Sequence, residues 1–203
     1  MPNIIECRVI RPKDRESAVL ATVEILFDSG VRLVNMHLLK PREEGKGNRL
    51  KMPSVTTQTG AVIPAYNPIN QETRSLMSDA AEKTLSEAVE AGTNDYTKVF
   101  QEPAADGYRK PEYSNLRLHR FPENNNPVRA VFSVTVDGAF TLNRLVVVKD
   151  PNTQMYVVRL PKFDLQHGRR AARYFRLPPE AYEDLYTLAM DAYTARPADE
   201  EPA

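Results

Sequence analysis

Apolar and polar residues alternate with period two from Ile4 to Ile10 and again from Tyr113 to His119, the signature of a half-buried strand. Two longer runs predict hairpins. In VFSVTVDGAFTLNRLVVV, Val131 to Val148, β-branched alternation flanks Asp137-Gly138, a pair that tolerates the positive φ of a tight turn. Asp28-Ser29-Gly30 does the same between Ala21 and Lys40. A further strand is expected at Arg49–Met52 and at Tyr156–Leu160, each stopped by a proline that cannot continue a ladder, Pro53 or Pro161. The period then changes. Asn70 is placed as an N-cap with Glu72 in the first turn, and Leu76, Met77, Ala80, Ala81, Leu85 and Val89 trace a helical face. Pro178-Pro179 pre-sets a second helix, whose face runs through Ala181, Leu185, Leu188, Ala189 and Ala192.

These elements come twice. CRVIR (Cys7–Arg11) and LRLHR (Leu116–Arg120) lie 109 positions apart, and the same offset pairs Ala21–Lys40 with Ala130–Lys149 without a gap. An offset of 108 then pairs Arg49–Pro53 with Val157–Pro161, Tyr66 with Tyr174, and Asn70 with Pro178. The expected organisation is α+β: two tandem units, each a small antiparallel, hairpin-rich sheet followed by one C-terminal helix. The first unit spans 1–94, a linker 95–112, the second unit 113–194, and an acidic disordered tail 195–203.

Composition narrows the class. The 203 residues are 41% hydrophobic and 27% charged, with a formal net charge of zero, so any attraction to nucleic acid must be local. One cysteine, Cys7, excludes an internal disulfide framework and fits a reducing, cytoplasmic setting, with the thiol read as a small buried hydrophobe. No apolar run suggests a signal peptide or a membrane span. His37, His119 and His167 lack metal-type spacing, the Asp28 and Asp137 repeat is explained by turn chemistry, and GKGN at Gly45–Asn48 is not a phosphate loop. No nucleophile–base pair stands out, so neither an enzyme nor a cofactor or metal site is expected.

The local charge sits in RLPKFDLQHGRRAARYFR. There Arg159, Lys162, Arg169, Arg170, Arg173 and Arg176 face one acid, Asp164, with Phe163, Tyr174 and Phe175 interleaved. Guanidinium groups pair with phosphate and aromatic faces stack on unpaired bases, which makes Tyr174 and the six cations the candidate nucleic-acid-binding residues. A solvated basic edge with its aromatics packed beneath the helix is the other reading of the same residues.

A strand, then Met52-Pro53-Ser54, a polar loop, a short apolar run, Pro68-Ile69-Asn70 and a helix carrying Arg74 together resemble the SpoVG family, bacterial regulators named for septation and sporulation. The resemblance covers about Asn3 to Ala91; the second unit has Leu177-Pro178 in place of Ile69-Asn70 and joins through the repeat. It implies a sheet-plus-helix unit, pairing into dimers, and DNA or RNA binding. Two copies in one chain would then form an intramolecular pseudo-dimer, open to further self-association. The family's loop after Met-Pro-Ser carries adjacent basic residues; here Val55, Thr56 and Thr57 occupy those positions. The expected function is therefore non-enzymatic DNA or RNA binding through the phosphate backbone by the second unit's basic loop. The alternative is a protein-interaction scaffold derived from a fused dimer.

Overall fold

The computed structural model describes residues 2–14, 16–43, 45–57, 60–105, 107–122, 126–164 and 171–195, and the fold is mixed α+β with antiparallel pairing throughout. Strands β1 (Ile4–Ile10), β2 (Val19–Phe27), β3 (Arg32–Leu39), β4 (Arg49–Lys51), β5 (Ser54–Thr56), β6 (Val62–Pro64) and β7 (Tyr66–Pro68) precede helix α1 (Gln71–Glu90). After it come β8 (Asp95–Val99), β9 (Tyr113–Arg120), β10 (Val128–Val136), β11 (Phe140–Lys149), β12 (Tyr156–Arg159), β13 (Lys162–Asp164), β14 (Ala171–Arg173), β15 (Phe175–Arg176) and helix α2 (Pro179–Thr194). No described helix is long and apolar enough to cross a membrane.

Two sheets hold the core, and each borrows a strand from the far part of the chain. The first runs β15-β3-β2-β1-β8, with β4 also on β3; the second runs β12-β11-β10-β9, with β7 also on β11. One edge of β3 is thus shared: His37–Leu39 pair with β4, while Arg32 and Leu33 pair with Arg176 and Phe175. The matching edge of β11 takes β12 at Val146–Lys149 and β7 at Phe140–Leu142. Tyr66 and Phe175 are both fully buried where the borrowed strands cross over, and the Tyr66 hydroxyl donates to the Val34 carbonyl at 2.6 Å. The hairpin turns also meet, with the Phe27 and Phe140 rings 5.1 Å apart. Gly30 (φ +73°) lets Pro178 and Tyr108 close on the first turn, because a Cβ there would stand 2.5 Å from Pro178 Cγ.

Irregularities recur at the 109-residue spacing. β2 bulges between Val19 and Ala21 and between Val23 and Ile25; β10 bulges between Val128 and Ala130 and between Phe132 and Val134. The residues at positive φ in the facing strands, Asn35 (65°) and Arg144 (62°), keep the same separation. Strand register corrects one expected pairing. Tyr66 lies opposite Leu142, and the residue that lies opposite Leu33 is Phe175, so Phe175 and not Tyr174 takes the position of Tyr66. The cause is one extra residue between β13 and β14 relative to β5 and β6.

Three other expectations change. The polar loop after Pro53 is a small hairpin, β5–β6, whose short β-branched runs are too brief to signal a strand by periodicity. The linker includes β8, which pairs with β1 from Glu6↔Val99 to Ile10↔Asp95 and sends Tyr96 and Lys98 to Glu87 on α1. On α1 the buried face is Thr73, Met77, Ala80, Ala81, Thr84 and Ala88, while Val89 is exposed. Small residues let the helix lie close to the sheet, which rotates the buried stripe away from Val89. Asn70 caps as expected, its side chain accepting from Thr73 N–H at 2.8 Å. Cys7 is fully buried, and burial pushes its thiol up to about 12. Of the tail, residues 196–203 lie outside the described residues.

Candidate nucleic-acid interface

Of the seven expected binding residues, Arg169 and Arg170 lie outside the described residues, as does His167. Arg159, Lys162, Arg173 and Arg176 are exposed, and none has an ion-pair partner among the described residues. Lys162 and Arg173 stand directly opposite each other in the β13–β14 ladder. Like charges at opposed positions repel, so a bound anion between them would relieve a local cost. Arg173 also acts electrostatically on the Tyr182 hydroxyl, whose titration burial raises first and this cation opposes. Arg176 is carried to the first sheet, opposite Arg32, and Arg159 ends β12 opposite Val146.

Tyr174 does not belong to a stacking surface. It is 7% exposed, its ring packs 4.9 Å from Phe163, and its hydroxyl donates to the Ser54 carbonyl at 3.2 Å. Phe175 beside it is fully buried. Both rings fill the crossover between sheets, because the chain bends at Tyr174 between β14 and β15, and Arg173 and Arg176 are the exposed residues on either side.

The structure adds cations that the loop-centred reading passed over. On the solvent face of the second sheet one row crosses four strands: His119, Val131, Val146 and Arg159. The adjacent row sets Arg117 opposite Ser133, and Ser133 opposite the bulge that holds Asn143 and Arg144. Arg117 and His119 are exposed, and neither Arg117 nor Arg144 has an ion-pair partner among the described residues. The signal was present in the alternation, because Arg117 and His119 occupy the polar positions of β9.

On the corresponding face of the first sheet Arg8 and Arg32 are paired with acids, while Lys51 opposite His37 and Arg176 opposite Arg32 have no ion-pair partner among the described residues. Arg8 makes a forked contact to Asp95 (2.8 and 2.6 Å) and reaches Glu24 at 4.0 Å; Arg32 reaches Glu6 at 2.7 Å and Glu24 at 4.0 Å. The Arg8 contact holds Asp95 below its usual carboxylate range. His37 is lowered by burial and then by Lys51 across the ladder. Between the sheets Arg109 joins both turn aspartates, Asp137 at 2.9 Å and Asp28 at 3.2 Å. Those aspartates do more than shape turns; they fix the segment that enters β9 onto both hairpins. Among the described residues no three His, Cys, Asp or Glu side chains group as a metal site.

No family model, curated protein or solved structure matches the chain.

Proposed function

We propose that this chain is a non-enzymatic nucleic-acid-binding regulator of SpoVG type, two tandem sheet-plus-helix units packed as a pseudo-dimer, with the phosphate-contacting surface in its second half. The observation that carries the reading is the distribution of partners. Arg117, Arg144, Arg159, Lys162 and Arg173 make no close ion pair among the described residues, nor does Arg176 on the first sheet's edge, and Arg159 acts on Asp150 only at longer range, whereas Arg8 and Arg32 are paired. Free guanidinium groups on a sheet face and its flanking hairpin suit a backbone-tracking contact with little base specificity. The recurring bulges and the reciprocal strand exchange support the tandem, pseudo-dimeric arrangement.

The test is fluorescence anisotropy of the full chain with single- and double-stranded DNA and RNA across a salt series. Binding is expected to weaken as salt rises, and Arg159, Lys162, Arg173 and Arg176 changed together to Gln should lower the salt slope by roughly 0.7–0.9 per lost contact. A parent chain that binds none of the four at low salt sinks the proposal. In that case the scaffold reading takes over, which the burial of Tyr174 and Phe175 and the uncharged Val55–Thr57 favour.

A further inference from the structure

We propose that the cleft beside the start of β10 and the end of β11 is a phosphate-binding pocket built on Arg129. The cleft, about 330 Å³, is lined by Asn126, Pro127, Arg129, Lys149, Pro151 and Gln154. That volume lies at the small end of ligand pockets, roughly 300–1,000 Å³. Arg129 is the extra residue of the bulge between Val128 and Ala130, which frees its side chain from the in–out alternation of the strand. It is only 9% exposed. Its Nη1 donates to the Asn126 carbonyl, and its buried Nε has no acceptor.

Neither Arg129 nor Lys149 has an ion-pair partner among the described residues. A buried guanidinium without a counter-charge is strongly unfavourable, and an anion accepting from Nε removes that penalty. Lys149, which lies over the Tyr156 ring at 6.0 Å, supplies a second cation at the same cleft. The next acid in the chain, Asp150, is engaged elsewhere: it accepts the N–H groups of Asn152 and Thr153 at 2.9 and 3.1 Å. Two cations and a donor fork match a phosphate dianion. Leu20, 109 positions before Arg129, lines a cleft with Arg11, Asp14, Val19, Leu85 and Val89, so the buried guanidinium at this position is a feature of the second half. The phosphate is either free or the end of a nucleic-acid strand; the chemistry is the same.

Calorimetric titration of the full chain with inorganic phosphate at constant ionic strength tests the pocket. Saturable binding is expected, about tenfold weaker in Lys149→Gln and lost in Arg129→Gln. If Arg129→Gln fails to fold, Lys149→Gln, checked for an unchanged melting temperature, carries the test. No saturable heat in the parent, or unchanged affinity in Lys149→Gln, overturns the pocket. Oligonucleotides with and without a 5′-phosphate identify the source: preference for the phosphorylated strand assigns a strand end, and equal binding alongside phosphate uptake assigns the free ion. Phosphate binding by a chain that fails to bind nucleic acid would uphold this pocket while rejecting the nucleic-acid reading.

Discussion

The solvent faces of the two sheets share a register over much of their length yet differ in which cations are paired. Val9 opposite Val23 in the first sheet corresponds, 109 positions on, to Leu118 opposite Phe132 in the second. On the first face Arg8 and Arg32 are closed off by Glu6, Glu24 and Asp95. At the same sequence spacing the second half has Asn115 and Ser133 for Glu6 and Glu24, the ladder placing Ser114 opposite Thr135 and Asn115 in the irregularity beside it, and no described strand pairs on the outer edge of β9 as β8 does on β1. Surface ion pairs add little stability, so the first face does not need its network to fold. What the pairing does is engage Arg8 and Arg32, while their counterparts Arg117 and Thr141 include no paired cation among the described residues, inside a chain whose net charge is zero.

The largest effect tests whether the two faces ride on one body. Phe175 is fully buried on a borrowed strand, so Phe175→Ala should lower unfolding free energy by about 3–5 kcal/mol, whereas Arg176→Gln next to it should change it by under about 0.5 kcal/mol. Urea unfolding measures both. A loss below about 1 kcal/mol for Phe175→Ala would mean that β15 is dispensable to the first sheet.

Charge removal separates the faces directly. Arg117, Arg144 and Arg159 changed together to Gln should weaken nucleic-acid binding about a hundredfold at low salt, and Arg8 with Arg32 changed to Gln by less than about threefold. Equal losses from the two sets would erase the contrast. The reverse graft sharpens it: Glu6→Asn with Glu24→Ser gives the first face the residues of the second. Affinity should rise about threefold to tenfold, with a stability change under about 1 kcal/mol.

The smallest effect is on pH dependence. Asp95 titrates lower in the folded chain than when unfolded, so its contribution is present above the unfolded value of about 3.9 and is lost as pH falls through the folded value. Stability curves of the parent and Asp95→Asn should therefore differ near neutral pH and converge in acid. Curves that stay parallel throughout would show that the Arg8–Asp95 contact does not act through charge.

Period-two alternation was enough to find β1, both long hairpins and β9, because alternate residues turn toward the core in each, reaching only half-burial in β9. It also held the second-face cations, since Arg117 and His119 sit at polar positions whose partners are simply not local. The short strands β5, β7, β13 and β15 escaped for a different reason: two or three residues cannot display a period. β8 escaped because turn residues flank it and its partner, β1, lies some ninety positions away.

What the sequence determined by itself is the long strands, the two helices and the local charge of each segment, all properties of neighbours along the chain. What only the tertiary structure decided is which strand completes which sheet, that Tyr174 and Phe175 are core, and which arginines find acids. Those depend on contacts between parts of the chain far apart in sequence, such as Phe175 on Leu33, Tyr174 on Ser54 and Arg8 on Asp95, and a residue's chemistry is set by the partner it meets there.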